Sequence, residues 1–328
     1  MLTIHKNVKL PTISPEKINY VMKTTLLYLV TVLIWGSTWF AIEFQLGDVA
    51  VEVSLFYRFA LAAALMWIFC TIKKLPMRYP LKQHGFFVLL AVFNFGANYL
   101  ILYWAQAYLT SAMTSIAFSL LLLMNIINTR IFFGKPIALR IYLGACLGVI
   151  GIVVLFWADL ADLTLSNGAV IGLLLSLAGT FAASIGNMIS VRNSQAHIPV
   201  LQGNAWGMFY SAVLLLIYIA LSGAQMSLPT TPSYLISLVY LSVFGTVIAF
   251  GCYFALLKEI GPEKASYVIV LFPLVAVVLS TYFEGFIWTT NTILGFSCVL
   301  LGNAIVLTPV NKLKALLGSS PVSVIKAH

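Results

Sequence analysis

Two ionisable side chains lie within long apolar stretches of this sequence, Glu43 and Arg58. A charge in such a stretch is costly to bury and is by default a candidate for function. The Glu43 carboxylate could take up a coupling proton or bind an ammonium group, and the Arg58 guanidinium could bind a carboxylate. The structural alternatives are an ion pair between the two, with Glu43 near enough to the membrane surface to stay ionised, or a contact of Arg58 with a helix end. Glu284, at the end of another apolar stretch, is expected to cap a helix or to help set the topology.

Polar and aromatic side chains recur at helical spacing in the same stretches. Trp35 and Trp39 are four residues apart, as are Asn94 and Asn98, so each pair lies near one face of a helix. An amide in hydrocarbon needs a hydrogen-bond partner, so each Asn faces either a neighbouring helix or a wet cavity. Trp and Tyr near the ends of spans are typical of the membrane interface, whereas Trp35 lies near mid-span and is the first choice for a cavity wall. The candidate substrate-binding residues are Trp35, Trp39, Asn94, Asn98, Tyr103, Asn187, Tyr253 and Tyr267.

Nothing in the sequence indicates an enzyme. No Gly-rich phosphate loop with Lys and Ser/Thr is present, so the chain encodes no ATP motor. The four histidines lie in predicted tails or loops, without the Ser, Cys or acid arrangement of a catalytic triad. The four cysteines lie in apolar stretches without metal-ligand spacing, as is typical of buried packing residues. No catalytic residue, cofactor, metal or disulfide is predicted.

The elements that carry the candidate residues are membrane-spanning helices. Of 328 residues, 61% are hydrophobic and only 8% are charged, against about 25% charged in a soluble domain. A net charge of +9 comes from short basic runs between apolar stretches, which do not form a surface for nucleic acid. Ten stretches have the roughly 20 apolar residues that a bilayer requires. They are Thr24–Phe44, Val51–Thr71, Gly85–Ala105, Ala112–Phe132, Ile141–Trp157, Gly168–Val191, Val200–Leu221, Tyr234–Leu257, Ala265–Phe283 and Asn291–Pro309, with joints such as Gly261-Pro262.

The basic residues predict how these spans are oriented. If the N-terminus is cytoplasmic, 17 of the 18 Lys and Arg residues fall in inside segments, none falls in an outside loop, and the last is Arg58. A missed or added span would reverse every later loop and destroy this pattern. The prediction is a cytoplasmic tail (1–23), a first five-helix repeat (24–157), an external linker (158–167), a second five-helix repeat (168–309) and a cytoplasmic tail (310–328).

The two halves resemble each other at an offset of 151 residues. The matched pairs are Ser115 with Ser266, Phe132 with Phe283, Gly134 with Gly285, Leu143-Gly144 with Leu294-Gly295, and Gly151 with Gly302. A duplication explains the shared offset better than chance does. Because each half has five spans, an odd number, the second half must be inverted relative to the first. Inverted repeats are typical of secondary transporters, which change the side that is open by exchanging the conformations of the two halves.

Several short motifs resemble the drug/metabolite transporter superfamily in its EamA-type branch, over about residues 24–309. They are Trp35-Gly36-Ser37-Thr38-Trp39, Tyr57-Arg58-Phe59, Gly245-Thr246, Tyr253-Phe254-Ala255-Leu256, Ala265-Ser266, Phe272-Pro273-Leu274, Glu284, Leu294-Gly295 and Gly302. The first half departs from the pattern at Leu122 and Phe133, where the family's Pro and Glu would stand. The resemblance implies ten helices in two inverted five-helix repeats, a central substrate cavity, and export of amino acids, nucleobase-like metabolites or drugs.

The leading hypothesis is an inner-membrane secondary active transporter that exports small organic metabolites, plausibly amino acids, by alternating access. Its rival is a proton-coupled multidrug exporter, which needs a titrating carboxylate such as Glu43. A non-transporting membrane interaction protein is the third alternative, but loops of about a dozen residues or fewer leave a partner little surface. The expected partners are a small-molecule substrate and the lipid bilayer, with protons as a candidate coupling ion, and the protein is expected to be a monomer or a homodimer.

Overall fold

The computed structural model describes residues 15–47, 49–161, 168–227, 230–265 and 267–308, and these form an all-helical bundle. The membrane-length helices are α1 (Pro15–Glu43), α2 (Val51–Ile72), α3 (Leu81–Gln106), α4 (Ser111–Phe133), α5 (Leu139–Leu155), α6 (Gly168–Gln195), α7 (Val200–Ser222), α8 (232–265), α9 (Val268–Phe283) and α10 (Thr290–Leu307). Eight are long and apolar enough to cross a membrane by composition. The other two, α5 and α9, have 17 and 16 residues, or about 25 Å of helix each.

The ten predicted spans coincide with the ten helices to within a few residues at most ends, and two boundaries differ. The first helix begins at Pro15, inside the predicted tail, although its apolar part is Asn19–Glu43. The predicted turn at Gly261-Pro262 is wrong, because α8 stays helical to Ala265. Proline costs a helix one hydrogen bond and strains one turn, which a long packed helix tolerates. The rest of the predicted tails, most of the linker and Ser266 lie outside the described residues.

The helix contacts of one repeat recur in the other, with each helix replaced by its equivalent five helices away in the chain. Helix α1 packs against α8 and α9, and α6 packs against α3 and α4. Helices α2 and α7 pack against each other, as do α5 and α10, so these two pairs map onto themselves. This is the pattern expected of two copies of a five-helix unit related by a twofold axis.

Both copies contain a π-helical segment in the third helix of the unit. Residues Ala91–Gly96 of α3 are π-helical, and so are Tyr240–Ile248 of α8. Shifting the first segment by 151 residues places it at 242–247, inside the second. Such segments are rare in helices and are frequent at functional sites.

Four glycines bring α5 and α10 into backbone contact. Gly144 faces Gly302 and Gly151 faces Gly295, and a β-carbon at any of the four would lie 2.6–2.7 Å from the facing carbonyl oxygen. The 151-residue offset exchanges these two contacts, which explains why the sequence repeats glycine at these positions. Small residues allow such close approach of helices in membranes. These four glycines therefore serve helix packing within the chain.

Candidate functional site

Arg58 lies in the interior of the bundle, between helices of both repeats. Its side chain is 2% exposed, and Nη1 donates a hydrogen bond to the Tyr103 hydroxyl at 3.1 Å. The guanidinium carbon lies 4.6 Å from the centre of the Tyr99 ring, a cation–π distance. On the α8 side the guanidinium approaches Gly245, where a β-carbon would lie 3.9 Å from Nη2. Helices α2, α3 and α8 thus meet at this side chain.

Within the part of the chain that the structure describes, the charge of Arg58 has no acidic partner. Among the described residues the single ion pair joins Lys23 to Glu259 at 2.6 Å. Nε of Arg58 is buried without a hydrogen-bond partner. Buried charges are ordinarily paired with an opposite charge, because an isolated ion is very costly to desolvate. Tyrosine hydroxyls and ring faces compensate this guanidinium only in part, so the site suits an anion.

The Glu43–Arg58 ion pair considered from the sequence is not formed. Glu43 Oε1 instead accepts a hydrogen bond from Nε2 of Gln106 at 2.7 Å, and the same nitrogen donates to the Trp39 carbonyl at 3.0 Å. Glu43 is the last residue of α1, level with the end of α3, whereas Arg58 is turned towards Tyr103. The two charges therefore belong to different surroundings.

Glu284 lies at the start of α4, where its Oε2 accepts hydrogen bonds from the Ser111 backbone N–H and from Ser280 Oγ, both at 2.8 Å. A carboxylate at this place satisfies a backbone donor that the first turn of a helix leaves free. The capping role expected of Glu284 is thus present in the structure, although the capped helix is α4 and not the helix that precedes it.

Trp35 and Trp39 hold α1 against its neighbours. Nε1 of Trp35 donates to the Gly245 carbonyl at 3.3 Å, and its ring packs 5.0 Å from that of Tyr253. Trp39 is buried and stacks on Phe272 at 6.1 Å between ring centres. Trp35 thus shares Gly245 with Arg58, while Trp39 belongs to the packed core.

The three candidate asparagines have different surroundings. Asn187 Nδ2 donates to Asn125 Oδ1 at 3.2 Å, which joins α6 to α4 as the interhelical alternative expects. Asn94 lies in the π-helical segment of α3 and packs against Gly186 of α6. A β-carbon added to Gly186 would lie 2.6 Å from the β-carbon of Asn94. Asn98 is 3% exposed, and its Oδ1 has no hydrogen-bond partner.

The structure brings some of the candidate residues together and separates others. Four of them lie in one chain of contacts through the first and second repeats: Trp35, Arg58, Tyr103 and Tyr253. Tyr267 precedes α9, and its hydroxyl is 3.4 Å from that of Thr308, which follows α10. Gln106, which the sequence analysis missed, is an amide in an apolar helix, and the reasoning applied to Asn94 and Asn98 would have found it.

The central residues pack against one another in this conformation. A groove of about 540 Å³ lies between α2 and α7 and is lined by Ala, Val, Leu, Phe and Trp side chains, among them Ala60, Trp67 and Trp206. Arg58 does not line it. The groove is apolar and suits lipid chains, so it adds nothing to the polar site.

Two segments of the chain, residues 22–157 and 170–308, each match the EamA-like transporter family. The chain belongs to this family. The two matched segments correspond closely to the two five-helix repeats predicted from the sequence. The EamA-like chain therefore consists of two copies of one family unit, as the repeated packing and the paired π-helical segments also indicate.

Relatives of this EamA-like chain cover most of its length. It is 23% identical to Protein PagO of Salmonella typhimurium over 282 residues, which is 85% of this chain and 90% of PagO. It is 26% identical to an uncharacterized inner membrane transporter, YedA, of Escherichia coli (strain K12), over 77% of this chain and 80% of YedA. It is also 26% identical to an uncharacterized transporter of Archaeoglobus fulgidus, over 87% of this chain and 99% of that protein.

A solved crystal structure has the same fold. It superposes with a TM-score of 0.63 at 17% identity and covers 87% of this chain and 97% of its own. The family match and the apolar helices identify a multi-pass membrane transporter rather than an enzyme.

Proposed function

We propose that this EamA-like protein is a secondary active transporter that exports small organic metabolites carrying a carboxylate, with amino acids as the leading class. The observation that carries the proposal is the buried guanidinium of Arg58, which has no acidic partner among the described residues. A carboxylate forms short, charge-assisted and often bidentate hydrogen bonds with arginine. A substrate carboxylate would therefore supply the missing charge.

The surroundings of Arg58 favour a zwitterion or other small amphipathic solute over a polyanion. Among the described residues Arg58 brings one positive charge to the site, and its neighbours offer the Tyr99 ring, the Tyr103 hydroxyl and, across Gly245, the Trp35 ring. A second negative charge would find no base there and would remain unpaired. The rings offer apolar surface to the rest of the solute, so a hydrophobic or aromatic amino acid suits the site best.

Transport would proceed by alternating access. Arg58 contacts residues of α3 in the first repeat and approaches α8 in the second, so the site lies where the repeats meet. With five spans per repeat the two copies are inverted, and an exchange of their conformations opens a site between them to the opposite side. Both termini are proposed to be cytoplasmic, because the basic residues follow that orientation. Export is then from the side of the tails.

The test is uptake of labelled amino acids into proteoliposomes that contain the full-length protein. Replacement of Arg58 by Gln should raise the concentration of carboxylate substrate that gives half-maximal transport roughly 30-fold or more. The reason is that loss of one partner of a buried charge pair costs about 2–5 kcal/mol. Arg58→Lys should retain part of the activity. Arg130→Gln is the matched control, because it removes the same charge from an exposed position at the end of α4.

A substrate pair sharpens this experiment. An amino alcohol lacks the carboxylate of the corresponding amino acid, so the unaltered protein should prefer the acid and the Arg58→Gln protein should not. Equal transport of the acid by the unaltered and Arg58→Gln proteins would contradict the proposal.

The alternative function is a proton-coupled multidrug exporter. Its supporting observation is Glu43, a partly buried carboxylate at the end of α1 whose recorded hydrogen-bond partner is the uncharged Gln106. This function requires that a pH gradient drive the flux of hydrophobic cations and that Glu43→Gln abolish the coupling. Unchanged coupling in that variant would remove Glu43 from the mechanism.

A further inference from the structure

Two carboxylates and several oxygen atoms converge at one end of the bundle. Glu43 ends α1, Glu284 follows α9, Gln106 ends α3 and Ser111 begins α4. The charge pattern assigns this end to the outside. Gln106 bonds to Glu43, and the backbone of Ser111 bonds to Glu284. Helix α1 packs against α9, and four residues separate Gln106 from Ser111, so the two bonded pairs lie at one helix junction and form one cluster.

Three oxygen atoms of this cluster are buried without a hydrogen-bond partner. They are Oε1 of Gln106, Oγ of Ser111 and Oε1 of Glu284. Gln106 is 4% exposed and Ser111 is fully buried, so neither of these two side chains can turn to bulk water. Buried polar atoms are nearly always satisfied, so these three oxygens are available to accept from or coordinate a ligand.

The cluster also lacks a positive charge. No Lys, Arg or His of the described residues forms an ion pair or hydrogen bond with Glu43 or Glu284. Arg58 faces Tyr99 and Tyr103 instead. The remaining acids that the sequence places at this end are Glu52, Asp48, Asp159 and Asp162, and the side chains of the three Asp residues lie outside the described part. Helices α1, α3, α4 and α9 therefore bring acceptors to this place and no base.

We propose that Glu43, Gln106, Ser111 and Glu284 bind a small hard cation, Na⁺ or H⁺, at the junction of α1, α3, α4 and α9. Such cations prefer oxygen ligands, and a cation would supply both the missing positive charge and a partner for the unsatisfied oxygens. The cluster belongs to both repeats, since α1, α3 and α4 come from the first and α9 from the second. An ion here would hold the repeats together at this end. Its use as the driving ion rests on the proposed transport function, whereas its binding does not.

The test is the thermal stability of the purified full-length protein without any substrate, so it can fail or succeed independently of the transport assay. At pH 8 and constant ionic strength, NaCl replaces choline chloride in steps. In a second series the pH is lowered in choline chloride alone. A Tm that rises with Na⁺ identifies sodium, because ligands of the folded state raise its stability. A Tm that rises only with acidity identifies the proton.

Carboxylate variants show whether the response belongs to this cluster. In Glu43→Gln and Glu284→Gln, the cation concentration for half of the Tm shift should rise about tenfold or more, a typical effect of altering a group near a bound ion. Glu52→Gln is the matched control, because it removes the same charge at the same end of the bundle. If Glu284→Gln fails to fold because α4 loses its cap, Glu43→Gln and Ser111→Ala carry the test. A response to neither cation, or an unchanged response in the Glu43 variant, overturns the proposal.

Discussion

Replacement of Gly302 by Ala tests the backbone contact between α5 and α10. A β-carbon at this position would lie 2.6 Å from the Gly144 carbonyl oxygen and 2.9 Å from the Gly148 nitrogen. Both are backbone atoms, so no side-chain rotation can relieve the overlap. Helix α10 must move away from α5, and the second glycine contact, between Gly151 and Gly295, lies on the same interface.

The size of the effect follows from two opposing terms. Alanine favours a helix over glycine by about 1 kcal/mol, whereas overpacking of a well-packed contact typically costs about 1–3 kcal/mol. Comparison with Gly251→Ala isolates the overpacking cost, because both variants gain the helix preference of alanine. Gly251 is an exposed residue of α8, and no neighbouring atom lies within 4 Å of a β-carbon added there. We expect Gly251→Ala to be neutral or stabilising, and Gly302→Ala to be about 1–3 kcal/mol less stable than it. That difference corresponds to several degrees in Tm.

The assay is thermal unfolding of both variants in one detergent. A Gly302→Ala protein as stable as Gly251→Ala would refute the packing described for α5 and α10. The double variant Gly144→Ala/Gly302→Ala adds an internal check. Its two substitutions act on one contact, so its destabilisation should be smaller than the sum of the single effects.

Three further experiments test contacts of different kinds. Tyr103→Phe keeps the ring but removes the hydroxyl that accepts the Arg58 hydrogen bond, and should cost about 1.5–3 kcal/mol; an unchanged Tm would show that this bond contributes nothing. Asn128 and Ser184 form a hydrogen bond of 2.8 Å between α4 and α6. A double-mutant cycle of Asn128→Ala and Ser184→Ala should give a coupling free energy of about 0.6–1.7 kcal/mol. A coupling of zero would contradict this hydrogen bond. Lys23→Ala breaks an exposed ion pair and should leave the Tm unchanged within about 1 kcal/mol; a larger loss would mean that the pair fixes the end of α1.

The helices of this fold follow from the sequence because a bilayer imposes two simple demands. Each span must be apolar over about 20 residues, and basic residues must stay on one side. The turn expected at Gly261-Pro262 failed because a breaking residue adds only a local cost, which the rest of a packed helix can offset. The π-helical segments were not predicted at all, since their residues include no feature that sets them apart from α-helical ones.

The site was predictable only in part, for a geometrical reason. Helical spacing assigns a residue to a face of its own helix, as it does for Trp35 with Trp39 and for Asn94 with Asn98. It does not say which neighbouring helix lies opposite that face. For that reason the sequence suggested Arg58 as the partner of Glu43, where the structure has Gln106. The pairing depends on the relative depth and rotation of three helices, which no single segment encodes.

The duplicated scaffold is symmetric, whereas its chemistry is not. The contact of Trp35 in α1 with Gly245 in the α8 π-helical segment has its counterpart, 151 residues away, in the contact of Gly186 with Asn94 in α3. The first helix of the first repeat contributes the large ring of Trp35 to this contact. The first helix of the second repeat has Gly186 at the equivalent position. The charged groups differ in the same way, because the positions equivalent to Arg58 and Glu284 are Phe209 and Phe133.

A symmetric frame with one guanidinium has a consequence for transport. The proposed alternating access requires equal packing contacts in the two repeats, so that each can adopt the conformation of the other, and the glycine contacts and π-helical segments are present twice. A single substrate needs only one binding charge. An arginine at position 209, where Phe209 is exposed and lines the apolar groove between α2 and α7, would place an unpaired cation against lipid. The substitution Phe209→Arg should therefore fail to create a second site and should instead destabilise the fold, which thermal unfolding can check. A stable Phe209→Arg protein that bound a second carboxylate would mean that the site itself, and not only its scaffold, is twofold symmetric.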